Sequence, residues 1–392
     1  MRKLLHLHRN VVILALSIFA LGLGEELWQP FLPQYLTVLG ASGLIVGLFS
    51  SAKDLLDGLY QYPGGWITDR WGRKRALLLF TLVALCGYAV YALAWHWAVT
   101  FVGLVLVMGW KAGAFPTTFA VIGDALPPQQ RALGFSVQSI LVRLPRVIGA
   151  PLGGLLIAAQ GVTTGVRIAA AITLLIAVVV LIVQQRGYRE PAVATNSYEG
   201  APIRIIFARM PVALKRLLLA ECLVRFGEGI AAAFIVLYVT IVLGYSAPAF
   251  GALYALQQTI SLLSYLPSGR LADVMGRRSL IALTFLFFAL FPLAVQSAQG
   301  IGMLIVAFII GGAKEMGEPA RKALIVDLSD PTQRGRAVGV YYTVRNLLIV
   351  PAGAIGGLLW ARAPHLPLLT GFVVGMLGLL VFWLTERRKI TP

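Results

Sequence analysis

The feature that most limits this chain is how little of it suits water. Apolar runs, each near the ~20 residues one spanning helix needs, follow one another from residue 11 to residue 385 with short loops between them. Charged residues are 12% of the 392, against about 25% in an ordinary soluble domain. This excludes a water-soluble globular protein, and also a disordered chain, which needs low hydrophobicity and high charge. The runs read as spans over 11–38, 43–67, 76–95, 98–123, 132–159, 164–184, 213–243, 247–269, 279–298, 301–327, 337–361 and 366–385. The expected fold class is an all-α membrane protein with twelve transmembrane helices.

The halves of the chain repeat. Gly24, Glu25, Phe31 and Tyr35 recur 203 positions later as Gly227, Glu228, Phe234 and Tyr238. Lys111, Pro116, Asp124 and Arg131 recur at the same offset as Lys314, Pro319, Asp327 and Arg334. The segment from Gly65 to Lys74 recurs 204 positions later, from Gly269 to Arg278. A parallel duplication of six spans is a known transporter plan, with the substrate site near the bilayer midplane where the repeats meet. The expected organisation is a six-helix bundle over 1–184, a cytoplasmic linker over 185–212, and a second six-helix bundle over 213–392. The polar stretch with Glu190, Pro191, Asn196 and Glu199 marks the linker, and Ile203–Met210 within it suits a short surface helix.

The net charge of +17 would suit nucleic acid were it not for where the charges fall. Twenty-two Lys and Arg lie in alternate loops and at both termini, whereas the intervening loops hold only Arg167 and Arg362. That asymmetry is the positive-inside bias. It places both termini in the cytoplasm of a multi-pass protein of the cell (inner, plasma) membrane. The first apolar run continues through Glu25, Glu26, Pro30 and Pro33 with no small-residue cleavage site, so it is not a signal peptide.

The loop Gly65, Asp69, Arg70, Gly72, Arg73, Lys74 has the form G-x-x-x-D-R-x-G-R-[KR], with a second copy in Gly269, Asp273, Gly276, Arg277 and Arg278. Through this motif and the duplication, the whole chain resembles the major facilitator superfamily. The resemblance implies two pseudo-symmetric bundles around a central cavity that rock in alternating access. It also implies that these loop residues form a conformational lock. The glycines suit a tight turn and close helix approach, and Asp69 suits a helix N-terminus and a neighbouring cation. Gly149-Ala150-Pro151-Leu152-Gly153-Gly154 is similar to the G-P-x-x-G-G motif of proton-driven antiporters, with Ala150 in place of the motif proline. The motif arginine of the fourth span is absent, and Lys111 is the only cation there.

Charges inside the spans mark the candidate site, since each costs at least ~2.5 kcal/mol at a helix centre. Candidate proton-coupling residues are Glu25, Glu26, Asp54, Asp57 and Glu228. A carboxyl group desolvated in a cavity can exchange protons near neutral pH. Candidate substrate-binding residues are Trp28, Lys111, Arg143, Arg146, Arg225, Lys314, Glu315, Glu318 and Arg345. Arginine suits carboxylate or phosphate in bidentate geometry, and Trp28 suits a planar solute. The competing readings are packing for Trp28 and Trp110, and mutual pairing for the charges. Away from the span ends, and counting Arg321 and Lys322, the spans hold nine basic and eight acidic side chains. Lys53 with Asp57, Glu221 with Arg225, and Lys314 with Glu318 share helix faces at i, i+4.

No phosphate-binding loop, nucleophile elbow or zinc pattern is present, and Cys86 and Cys222 lie in apolar runs. The reading is therefore not an enzyme: it has no cofactor and no metal, and its partners are protons, a small-molecule substrate and the lipid bilayer. It is expected to be a monomer that does not bind nucleic acid. The expected function is a proton-coupled secondary transporter, as an efflux antiporter of an organic solute. The alternatives are symport of an organic anion or zwitterion and flipping of an amphiphilic lipid, with a non-transporting membrane sensor further off.

Overall fold

A computed structural model describes residues 2–113, 128–189, 203–329 and 334–387. Among these residues all regular structure is helical. The helices are α1 (Arg2–Glu26), α2 (Leu32–Val38), α3 (Gly43–Trp71), α4 (Arg73–Leu93), α5 (Trp97–Met108), α6 (Pro128–Gly187), α7 (Ile203–Arg209) and α8 (Val212–Leu237). They continue with α9 (Ala247–Met275), α10 (Arg277–Gln296), α11 (Ile301–Ala313), α12 (Glu318–Asp327), α13 (Arg334–Ile349), α14 (Pro351–Arg362) and α15 (Leu366–Arg387). By length and apolarity alone, seven helical stretches among the described residues qualify as spans. The others are interrupted, shorter or more charged. Pro116, Asp124, the linker residues 190–202 and residues 388–392 lie outside the described residues.

The interruptions have local causes. α1 stops at Glu26 and passes through a 3-10 turn, Gln29–Phe31, before α2. Pro30 and Pro33 cannot donate the next helical bonds. The spans expected at 132–159 and 164–184 form one helical run, α6, broken at Gly161, whose φ of 78° is a conformation only glycine adopts readily. Gly72 (φ 86°) and Gly276 (φ 82°) make the same kind of turn before α4 and α10, so the tight-turn role read from the loop motif rests on these two.

The chain forms two compact units. Unit 1 comprises Met1–Ala41, Leu55–Tyr198 and Ser246–Ala255, and unit 2 comprises Ser42–Asp54, Glu199–Tyr245 and Leu256–Pro392. The sequence division at 184 and 213 leaves α3 and α9 whole, whereas these units part within both helices.

In unit 1, α6 is two helical arms that meet at Gly161, and α1 and α4 pack against them. Small residues allow it, because helices in lipid gain from close van der Waals approach and not from hydrophobic exclusion. A Cβ on Gly153 would stand 1.8 Å from the Leu27 carbonyl oxygen, and one on Gly149 would stand 2.7 Å from Glu26 Cβ. Thus the glycine-rich segment of α6 is a seam for the end of α1. Buried polar contacts close the other end of the unit: Thr81 Oγ1 donates to Gln184 (2.9 Å), and Gln184 Nε2 donates to Ser17 (3.1 Å).

In unit 2 the core gathers Leu214, Leu217 and Val224 of α8, Leu280, Phe285 and Phe288 of α10, Leu324 and Ile325 of α12, Tyr341 of α13 and Phe382 of α15. The short helix expected near 203–210 is α7, and its Ile206, with Met210 just beyond it, is buried in this core. The repeat shows in detail. Tyr35 donates to the Ala94 carbonyl past the end of α4 (3.2 Å), and Tyr238 donates to the Gln296 carbonyl at the end of α10 (3.4 Å).

Candidate functional site

The C-terminal end of α1 delivers Glu25 and Glu26 into the interior of unit 1, where they are 4% and 7% exposed. The π-helical turn Gly109–Gly113 after α5 carries Lys111, and such turns recur at functional sites. Lys111 Nζ lies 3.0 Å from Glu25 Oε2. Tyr88 of α4 donates its hydroxyl to Glu25 Oε1 at 2.5 Å. Glu26 meets Arg146 of α6, Nε to Oε1 3.4 Å. Arg143, one turn earlier on α6, is half-buried. Two acids and three cations thus occupy the same unit, with the half-buried Tyr254 within electrostatic range of Glu26 and Arg146.

For Trp28 the structure favours packing, one of the two readings its sequence position left open. It is 1% exposed, donates to Thr173 Oγ1 (3.2 Å) and packs against Tyr88 and Tyr91. In this conformation it braces the Glu25 site.

In unit 2 a longer cluster runs along one face of α8 through Glu221, Arg225 and Glu228. Glu228 accepts from two cations, Lys314 Nζ at 2.5 Å and Arg225 Nη1 at 2.8 Å. Lys314 follows directly on α11, over the rings of Phe288 and Phe291. Glu221, fully buried, pairs with Arg345 Nη1 (3.0 Å) and Arg321 Nε (3.3 Å) and accepts from Tyr341 (2.6 Å). Glu315 approaches Arg225 at 4.0 Å. Glu318 pairs with Lys322 (2.7 Å) and accepts from Tyr265.

Two of the expected i, i+4 pairs therefore take other partners. Lys314 pairs with Glu228 and leaves Glu318 to Lys322, while Glu221 pairs across helices with Arg345 and Arg321, and Arg225 pairs at i, i+3 with Glu228 on its own helix. Spacing along one helix shows which side chains share a face, but a buried carboxylate is satisfied by whichever helix packs on that face. Tyr88 and Tyr341, which donate to the two most buried carboxylates of these clusters, were missed. Their signal is slight, since a tyrosine inside an apolar run reads as packing.

Asp54 and Asp57 are half-buried on α3, and Lys53 is exposed. Of the expected lock residues, Gly65 and Asp69 lie on α3 with side chains outside the described set. Arg70 lies over the Trp66 ring (5.2 Å), and Arg73 and Lys74 open α4 half-buried. In the second copy Asp273 and Arg278 are exposed, and Arg277 pairs with Asp327 across α10 and α12. A Cβ on Gly269 would meet nothing within 4 Å, so close helix approach, expected of the motif glycines, is not its reason.

A chain whose regular structure is helical throughout the described residues, with charges paired inside its spans and the Glu25–Lys111 pair duplicated as Glu228–Lys314, has the build of a polytopic membrane transporter. The model of the Major Facilitator Superfamily matches residues 14–220 and again 217–392, and the chain belongs to that superfamily. It is 25% identical to an uncharacterised MFS-type transporter of Methanocaldococcus jannaschii, over 96% of this chain and 95% of that one. It is 23% identical to multidrug resistance protein 2 of Bacillus subtilis, over 99% and 98%. Among solved structures, a POT family transporter in complex with 5-aminolevulinic acid superposes with a TM-score of 0.79 at 13% identity, over 98% of this chain and 97% of that one. That likeness shows the fold.

Proposed function

We propose that the chain is a proton-coupled secondary transporter that exports a small organic solute by alternating access, with Glu25 as the principal proton-exchange group. The observation that carries this is the Glu25 site. A carboxylate buried at mid-span is held by one cation and one phenol, and it has to release Lys111 to take a proton. Burial without water makes each charge state depend strongly on that neighbour. Glu26 with Arg146, Glu228 with its two cations, and Asp54 and Asp57 are the further acids of the coupling set. The multidrug resistance protein of B. subtilis favours export of organic solutes. Both termini are assigned to the cytoplasm on the charge asymmetry of the loops.

The test is flux in proteoliposomes of purified full-length protein. An imposed pH gradient should drive a fluorescent organic solute against its concentration gradient, and dissipating the gradient with a protonophore should stop it. Uphill flux that survives the protonophore contradicts proton coupling. A second reading, symport of an organic anion or zwitterion, is favoured by the cations of unit 2. It predicts that protons and solute move in the same direction.

A further inference from the structure

Ion pairs cluster around α8 and α12 in unit 2, with Lys322 exposed at their edge. Arg225, Lys314, Arg321, Lys322 and Arg345 face Glu221, Glu228, Glu315 and Glu318. Glu318 with Lys322 forms a closed pair. Around α8, four cations then share three carboxylates, one of which, Glu315, makes its closest ion contact at only 4.0 Å. Of the cations, Arg345 has both sides of its guanidinium engaged: Nη1 on Glu221, and Nε with Nη2 on Asn346 Oδ1 at 3.1 and 2.9 Å. Lys314 is committed to Glu228.

Arg225 is different. Its guanidinium carbon lies over the Phe288 ring, 4.4 Å from the centroid, and it bonds Glu228 through Nη1. Its Nε is buried and has no acceptor among the described residues. Nε and Nη2 together form the side-on edge of an arginine, the edge that takes a carboxylate in two parallel bonds. A buried donor without an acceptor is costly. A planar anion on that edge would supply the acceptor. A neighbouring acid is poised to compete for it, since Glu315 approaches the same guanidinium from Nη1.

We propose that unit 2 contains an anion subsite on the Nε–Nη2 edge of Arg225, which takes one carboxylate of the transported solute and is held in check by Glu315. The inference rests on the transport reading and narrows its substrate class to solutes bearing a single negative group, zwitterions included. The Phe288 ring backs the guanidinium, and Lys314 adds positive potential without being consumed by the ligand. Glu315 sets a threshold, because a solute carboxylate has to outcompete its charge.

The experiment is equilibrium binding to the purified full-length protein in detergent. The probes are 2-naphthoate, the matched cation 2-naphthylmethylammonium and the neutral 2-naphthalenemethanol. Naphthoate should bind the wild type more tightly than the neutral probe. Arg225→Lys keeps the charge but removes the two-donor edge, and should weaken naphthoate about tenfold, as expected for one charge-assisted hydrogen bond lost. Glu315→Gln should tighten naphthoate severalfold and leave the neutral probe unchanged. Because Glu315→Gln is a gain, it decides the matter even if Arg225→Lys folds poorly. Equal naphthoate affinity in wild type and Glu315→Gln, or no preference for naphthoate over the neutral probe, overturns the subsite. Proton-driven export of an organic solute would still stand in that case, so failure of the subsite and failure of the transport reading give different results.

Discussion

The Glu25 site of unit 1 and the Glu228 site of unit 2 descend from one sequence pattern and have been finished differently. Each has a glutamate paired with a lysine that lies at an irregular end of the neighbouring helix, Lys111 in a π-helical turn and Lys314 just after α11. Around that pair the neighbours diverge. The position 203 after Tyr88 is Phe291, so the phenol that donates to Glu25 becomes a ring beneath Lys314. The position 203 after Gly22 is Arg225, which brings Glu228 a second cation. The positions after Pro30 and Pro33 are Ala233 and Val236, so α8 runs on where α1 breaks. A duplicated ion pair can thus be kept while one copy is set at a helix break with a single cation and the other is built into a continuous helix with two. The first is suited to exchange a proton and the second to meet a charged ligand.

The comparison is most open to challenge where one cation is removed. Lys111→Met leaves Glu25 buried with a phenol as its only partner named here, and should cost about 3–5 kcal/mol, the scale for breaking a buried pair. Lys314→Met leaves Arg225 on Glu228 and should cost roughly half as much or less. Denaturant or thermal unfolding of the purified variants measures both, and equal losses would erase the distinction between the sites. Adding Glu25→Gln to Lys111→Met should recover most of the loss, which a double-mutant cycle reads directly. Next in size, Tyr88→Phe gives unit 1 the residue type that unit 2 has at the offset position. It should cost about 1.5–2 kcal/mol, the value of a hydrogen bond to a charged group, and an unchanged unfolding midpoint would show that the phenol is dispensable. Smallest, Asp69→Asn in the fuller copy of the loop motif should slow transport about tenfold, ~1.4 kcal/mol in the barrier. Solute affinity should stay near that of the wild type, and Asp273→Asn should have less effect. Wild-type turnover in Asp69→Asn would remove the locking role.

Much of the fold was legible because the bilayer dictates it. Apolar runs have to be helices there, and Gly72, Gly161 and Gly276 fall where the chain has to turn or break. The repeat also placed Glu25, Lys111, Glu228 and Lys314 individually. Their pairing was harder to see, because i, i+4 spacing drew Lys314 to Glu318 and Arg225 to Glu221. The partner of Lys314 is held by another helix, and sequence distance carries no record of it, whereas Arg225 turns to Glu228 one turn along its own helix. One clue was present: both members of the Glu25–Lys111 pair recur at the same offset. Trp28 stayed open for a different reason. A tryptophan at mid-span is as suited to bracing a buried carboxylate as to stacking on a solute, and only the positions of Tyr88, Tyr91 and Thr173 separate the two.

The most direct test of the Glu25 assignment compares two fluxes in proteoliposomes holding the wild type, Glu25→Gln or Glu26→Gln. One flux is solute exchange down its own gradient, and the other is accumulation driven by a pH gradient. Glu25→Gln should keep the exchange and lose the proton-driven accumulation, because the carrier can still change conformation but has no proton to exchange at that site. If Glu25→Gln and Glu26→Gln both accumulate solute at the wild-type rate under the pH gradient, the first span is not where protons are coupled.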